Sequence, residues 1–295
     1  MLRNPQDSCG PNCSINMPFF DHDGIHFHYR ESGSGMPFVF QHGLGADVNQ
    51  TFELFTPPPA IRMITFDCRA HGETRPLGTE DGISIEQFTS DLVALLDHLQ
   101  IRTAVVGGIS MGAAIALRLA LDHPHRVLGL VLSRPAWLDE SRVDNMKVFS
   151  TLAEYIRKYG AWQGAQRYQE TEAFQHVKRV SPDNANSLLS QFTHPRAEET
   201  VAKLERIPHY VPKHRREDWR RIKVPTLVIV NRQDEIHPFE FGDSLGREIP
   251  NARVVEVAPK SVSKERHMLE VQQALERYFA ENASHWEAAE NPART

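Results

Sequence analysis

One serine stands where a reactive serine has to stand. Gly108-Ile109-Ser110-Met111-Gly112 follows a short apolar run, Ala104 to Val106, and precedes Ala113 to Ala120, a small-residue stretch that reads as a helix. The pentapeptide fits G-x-S-x-G, and strand–turn–helix is the setting that gives this pattern mechanical meaning. A turn that sharp needs flanks nearly free of side chains. Gly108 and Gly112 supply them, and Gly107 and Ala113 keep the neighbourhood small. A helix N-terminus behind the serine brings unpaired N–H groups and a positive dipole end, and both favour negative charge developing nearby.

A serine hydroxyl is a weak nucleophile and needs a base, itself held by a third group. Behind such an elbow the order along the chain is serine, acid, histidine. The apolar run Thr226 to Val230 ends in a loop carrying Asp234, which could point across the top of a sheet. Glu235 is the neighbouring alternative, and Asp243 is more distant. The base is expected beyond the last strand. His267 opens the final helix there, and only His285, in the terminal tail, competes with it after Val257. That selects His267 from fifteen histidines. His237 is the runner-up, but it lies so close to Asp234 in the chain that it looks poorly placed to bridge to Ser110. An oxyanion needs backbone N–H donors aimed at the developing charge. Met111 N–H is one candidate. Leu44 N–H, in the loop His42-Gly43-Leu44-Gly45, is the other, with His42 itself structural.

Several elements must position these groups. Ile25–Arg30 alternates as a half-buried strand and closes at Gly33 to Gly35. Pro37–Gln41 and Ile61–Phe66 are further strands, and the second runs into Asp67–Gly72. Ile85, Phe88, Leu92, Leu95, Leu96 and Leu99 recur at helical spacing. Val127 to Leu132 is another buried strand. From about Pro135 to Arg221 the pattern is helical, punctuated by Pro182, Pro195, Pro208 and Pro212. The strand pattern resumes at Thr226, Ala252 to Val257 is the last strand, and Met268 to Ala280 the last helix. Strands alternating with helices indicate a mostly parallel sheet covered on both faces. The expected organisation is therefore a tail over residues 1–18, an α/β core over 19–134 and 222–283, a helical insertion over 135–221, and a frayed end over 284–295.

Composition excludes other classes. With 295 residues, 40% hydrophobic and 24% charged, the chain can bury a core without disulfides or metals. A net charge of −5 with scattered basic residues gives no electrostatic case for nucleic acid. No apolar run approaches the roughly 20 residues needed to span a bilayer, and the polar N-terminus lacks a signal-peptide core, so cytoplasmic residence is the expectation. Cys9, Cys13 and Cys68 describe neither a disulfide framework nor a zinc site. His22, His26 and His28 read as a solvated strand face rather than a metal cluster.

His42-Gly43, the loop Asp67-x-Arg69-x-His71-Gly72, the elbow at Ser110, Asp234 with Pro238, and His267 together resemble the α/β-hydrolase superfamily, in its lid-bearing esterase, enol-lactonase and C–C hydrolase branch. The resemblance covers nearly the whole chain. It implies an α/β-hydrolase fold in which 135–221 caps the active site, with Ser110, Asp234 and His267 as the triad and Leu44 and Met111 as oxyanion donors. The chain departs from the family at Arg266, where a glycine usually precedes the catalytic histidine, and at Asn231 and Ala70, where glycine is common. The expected activity is hydrolysis of a small-molecule ester or lactone with no cofactor. Alternatives are C–C bond or amide cleavage on the same triad, or a catalytically silent ligand-binding protein. Trp137, Phe149, Tyr155, Tyr159, Trp162, Tyr168 and Phe174 could line an apolar pocket or form the cap's own core. Arg134 could meet a substrate carboxylate. A homodimer is compatible with proteins of this kind.

Overall fold

The computed structural model describes residues 18–140 and 144–290, with side chains described to 286. The expected tail over 1–18 lies almost wholly outside the described residues, as do Cys9 and Cys13. The sheet begins one strand earlier than the alternation at Ile25 suggests. β1 (Phe19–His22) pairs antiparallel with β2 (Ile25–Ser32), placing Phe20 opposite Phe27. Asp23 and Gly24 join them, both at positive φ (53° and 71°), as a two-residue turn that matches strand twist requires.

β3 (Met36–Gln41), β4 (Ile61–Phe66), β5 (Ala104–Ile109), β6 (Val127–Ser133), β7 (Thr226–Val230) and β8 (Ala252–Glu256) complete an eight-stranded sheet. Its order is β1-β2-β4-β3-β5-β6-β7-β8, parallel from β4 to β8. Strands buried on both faces read as continuous apolar runs, and β5 and β7 are buried at every position. α1 (Val48–Leu54) and α9 (Lys264–Glu290) cover one face over Phe38, Phe40, Ile109 and Leu227. α2 (Ile85–His98), α3 (Met111–Asp122) and α8 (Phe239–Glu248) cover the other.

The insertion is helical, as the missing strand pattern indicates. α4 (Lys147–Gln169) is interrupted at Gly160, whose φ is 72°. α5 (Glu172–Val180), α6 (Pro182–Thr193) and α7 (Ala202–Arg206) follow. Tyr155, Tyr168, Phe174 and Phe192 pack ring against ring with centroids 5.5–5.7 Å apart, so these aromatics form the insertion's own core. Trp162, by contrast, is 74% exposed. Two cations tie the insertion to the α/β core. Arg196 Nη1 donates to the carbonyls of Gly72 (2.8 Å) and Thr74 (3.1 Å), and Lys203 Nζ donates to that of Ala70 (3.1 Å).

Two expectations need correction. The chain does not fray at Ser284: α9 continues to Glu290, because Trp286 is buried and its Nε1–H donates to Leu128 O (2.9 Å). Nor are all three histidines near the N-terminus solvated. His28 is buried, and its Nδ1 lies 2.7 Å from Asp67 Oδ2. Among the described residues, no helix is long and apolar enough to cross a membrane.

Candidate active site

Ser110 sits at the tip of the turn between β5 and α3 with φ 56° and ψ −108°. A non-glycine residue held there costs about 1–3 kcal/mol, and it persists only where its surroundings over-determine it. They do so here. A side chain on Gly108 would overlap the Gly112 backbone, and one on Gly112 would overlap the Gln41 carbonyl. Ser110 N–H donates to Ser133 O (2.9 Å), and Ser110 O accepts from Ala114 N–H (3.2 Å). Ser110 is therefore held at the carboxyl ends of β5 and β6.

The two expected oxyanion donors are free. Among the described residues, neither Leu44 N–H nor Met111 N–H has an acceptor. The loop that carries Leu44 is fixed from below. Gly43 N–H donates to Gln50 Oε1 (2.8 Å), and His42 bridges Gly43 O through Nδ1 (2.8 Å) and Cys68 N–H through Nε2 (3.1 Å). His42 is thus structural. Above the loop, the Gln191 amide of α6 packs against Gly45.

Asp234 lies beyond the end of β7, with its side chain 2% exposed. Its carboxylate is fully engaged. Arg134, just past β6, donates from Nε (2.8 Å) and Nη2 (2.8 Å) to Oδ2. Asn184 of α6 donates to Oδ1 (2.8 Å), and His237 meets Oδ1 through its backbone N–H (3.1 Å) and through Nδ1 (2.8 Å). Burial alone would raise the Asp234 carboxyl. The Arg134 guanidinium, His237 and the Asn184 amide outweigh it and hold the group well below the usual carboxylate range.

His267 falls in the first turn of α9, not in the loop before it, and it is 1% exposed. Its Nδ1 lies 2.8 Å from Ala258 O. Burial pushes the imidazole down to about 4. Arg134 and Lys260 add to that, and the Ala258 carbonyl only partly opposes them. Among the described residues no hydrogen bond joins Asp234 to His267, or His267 to Ser110. The structure thus brings Ser110, Leu44 and Met111 into one arrangement, but it gives Asp234 to His237 and Arg134. His267 and Arg134 line a cavity of about 70 Å³ together with Ile109, which precedes Ser110, and Gln50, Lys260 and Met268.

Some of this could not be foreseen. Asn184 carries no local motif, and only the docking of α6 reveals it. Arg134 was visible as a strand-end arginine, but its partner is a carboxylate of this chain. Its φ is 50°, and its N–H donates to Ile229 O (2.8 Å), continuing the β6–β7 ladder by one bond.

The sequence profile of the alpha/beta hydrolase fold matches residues 36–260. A Mycobacterium phage D29 protein, named provisionally as a non-heme haloperoxidase, is 30% identical over 246 residues, covering 78% of this chain and 82% of that one. The 3-oxoadipate enol-lactonase 2 of Acinetobacter baylyi is 28% identical over 184 residues, covering 62% and 65%. Among solved structures, the enol-lactonase from Burkholderia xenovorans LB400 superposes with a TM-score of 0.67 at 24% identity, over 89% of this chain and 100% of that one. This chain belongs to the α/β-hydrolase fold family.

Proposed function

We propose that the protein is a serine hydrolase that cleaves a carboxylic ester or lactone of a small molecule through an acyl-enzyme on Ser110. One observation carries the reading: a strained serine at a helix N-terminus beside two unclaimed backbone N–H groups, Leu44 and Met111. Such donors are already oriented before charge develops, and each contributes about 3–4 kcal/mol to the transition state. Ser110 Oγ would attack the carbonyl carbon as an imidazole takes its proton. The displaced electron pair would reside on the carbonyl oxygen between Leu44 and Met111. Collapse would expel the alcohol, protonated by the same imidazole, and a water would repeat the sequence to release the acid. Asp234 is the carboxylate of this scheme, and His267 is the histidine that chain order supplies.

The names of relatives support the substrate class, since an enol-lactonase cleaves a cyclic ester. A relative from Pseudomonas putida, named 2-hydroxy-6-oxo-2,4-heptadienoate hydrolase and 26% identical over 230 residues, favours C–C bond cleavage as the second reading.

Incubation with a fluorophosphonate probe followed by peptide mass spectrometry tests the mechanism. One adduct on the peptide holding Ser110 is expected, with none in Ser110→Ala. Absence of labelling in the folded wild type, or equal labelling in Ser110→Ala, refutes it. A panel of p-nitrophenyl esters, lactones and vinylogous diketones then separates the two bond types.

A further inference from the structure

We infer that the substrate carries a carboxylate besides its ester or lactone bond, and that Arg134 binds it, resting on Asp234 until that carboxylate arrives. The inference rests on the serine-hydrolase reading above and names the substrate class within it.

Among the described residues, Arg134 is the one that both bonds the acid and lines the histidine's cavity. On one side, its Nε and Nη2 close on Asp234 Oδ2. On the other, it shares the cavity of about 70 Å³ with His267, Lys260, Lys264 and Glu53. That lining holds three cations and a single carboxylate, so its field favours a small anion. The cavity also borders the reacting groups. Ile109 precedes Ser110, and Gln50 fixes the oxyanion loop by accepting from Gly43 N–H (2.8 Å). A carboxylate seated there and a carbonyl at Ser110 belong to one small molecule. Carboxylate is the anion chosen because Arg134 already presents to Asp234 the planar fork that such a group accepts.

Arg134 is also the partner able to leave. Asn184 and His237 hold Oδ1 of Asp234, whereas Oδ2 belongs to Arg134 alone among the described residues. Asp183 of α6 lies 3.8 Å from Arg134 Nη2 and 3.7 Å from Lys260 Nζ, a second carboxylate that keeps the guanidinium paired as it turns. Beside Lys260 and Lys264 a lone guanidinium in the cavity is repelled, and an incoming anion removes that obstacle. The Arg134 backbone is held at φ 50°, and strain of that kind collects at residues that clamp a ligand.

The consequence for the reaction is direct. Two N–H groups of Arg134, one of Asn184 and two nitrogens of His237 surround Asp234, and they fill the roughly four acceptor sites of a carboxylate. None remains for His267, whose Nδ1 stays on Ala258 O. Burial first, then Arg134 and Lys260, hold that imidazole down at about 4, a weak base. Transfer of Arg134 to the substrate carboxylate opens Oδ2 to the His267 Nδ1–H and sets negative charge near the ring. Both changes favour the imidazolium that forms as Ser110 gives up its proton. Only hydrogen bonds are exchanged, and the covalent steps are those of the acyl-enzyme scheme.

The test uses two esters that differ in one terminal group, p-nitrophenyl valerate and mono-p-nitrophenyl glutarate. Wild type is expected to favour the glutarate by roughly thirtyfold in kcat/KM, and Lys260→Met to cut the glutarate value roughly tenfold, chiefly by raising KM. In Arg134→Met the preference is expected to fall to roughly threefold or less, while valerate hydrolysis rises because the acid is no longer covered. Equal wild-type values for the two esters overturn the assignment. So does a folded Arg134→Met that hydrolyses valerate more slowly than wild type. If Arg134→Met does not fold, the wild-type preference and the KM of Lys260→Met decide alone. A wild type that hydrolyses neither ester and takes no fluorophosphonate fails the serine-hydrolase reading instead, and the inference falls with it.

Discussion

Lys203 lies on α7 where the helical insertion meets the α/β core, 2% exposed, and donates to Ala70 O and Thr200 Oγ1 (3.0 Å). No carboxylate forms a salt bridge with it among the described residues. Burial, reinforced by the Arg196 guanidinium and only partly offset by Asp67 and Asp47, brings its ammonium down from 10.5 to about 7. His42, His71 and His194 share its surroundings, and burial lowers each of them first, so they stay neutral near pH 7. Between about pH 7 and 10.5 the unfolded chain therefore binds a proton at this site that the folded chain does not, and stability contributed here rises with pH. Each unit is worth about 1.4 kcal/mol, so from pH 6 to pH 9 the wild type gains about 3 kcal/mol from this site. Lys203→Met removes the titration and leaves Ala70 O without its donor, a pH-independent cost of about 1–3 kcal/mol. A 295-residue chain unfolds with an entropy of about 0.6 kcal/mol/K, so 3 kcal/mol is about 5 °C. Thermal melts of both proteins at pH 6 and pH 9 are the assay. The difference in melting temperature, wild type minus Lys203→Met, should move by about 5 °C in favour of wild type on going to pH 9. A difference independent of pH refutes the argument.

Two further changes test the packing. Arg134→Met leaves the Asp234 carboxylate buried without its cation, which costs about 3–5 kcal/mol; a drop of about 5–8 °C in melting temperature is expected, and an unchanged melt would show that Arg134 does not hold the acid. Trp286→Ala empties a site between α9 and β6, at about 3–5 kcal/mol; a variant as stable as wild type in urea would show that the end of α9 is not docked.

Much of the fold was legible because two periodicities wrote it. Continuous apolar runs marked the buried parallel strands, and 3.6-residue spacing marked α2. β1 was missed although Asp23-Gly24 is a strong hairpin signal, because Phe19–His22 is too short to show alternation. α9 was cut short because a polar surface hides one apolar anchor: Trp286 is a single residue, but it lies two turns beyond Tyr278 and meets it at 5.5 Å between ring centroids. His28 was misread for a related reason. Its alternation with His26 was correct, but the inward face of that strand carries a polar partner, Asp67.

The site divides along the same line. The placement of Ser110, Leu44 and Met111 was legible because main-chain geometry sets it. A strained turn, a helix N-terminus and a glycine-flanked loop all leave marks in local sequence. The partners of Asp234 and His267 depend on side-chain direction across the sheet, and sequence distance is a poor guide to that. Three residues separated Asp234 from His237, which seemed too close for one to orient the other. Yet a loop leaving a strand end can fold back on itself, and there the His237 backbone N–H and its ring nitrogen both meet the same carboxylate oxygen. The chain-order rule points to His267 for a reason external to its surroundings, which hold Arg134, Lys260 and Lys264, with the Ala258 carbonyl as the partner of its Nδ1. The departure at Arg266, where a glycine usually stands, falls on this same segment. Both Arg266 and His267 lie in the first turn of α9, so helix geometry and not a loop sets the direction of that imidazole.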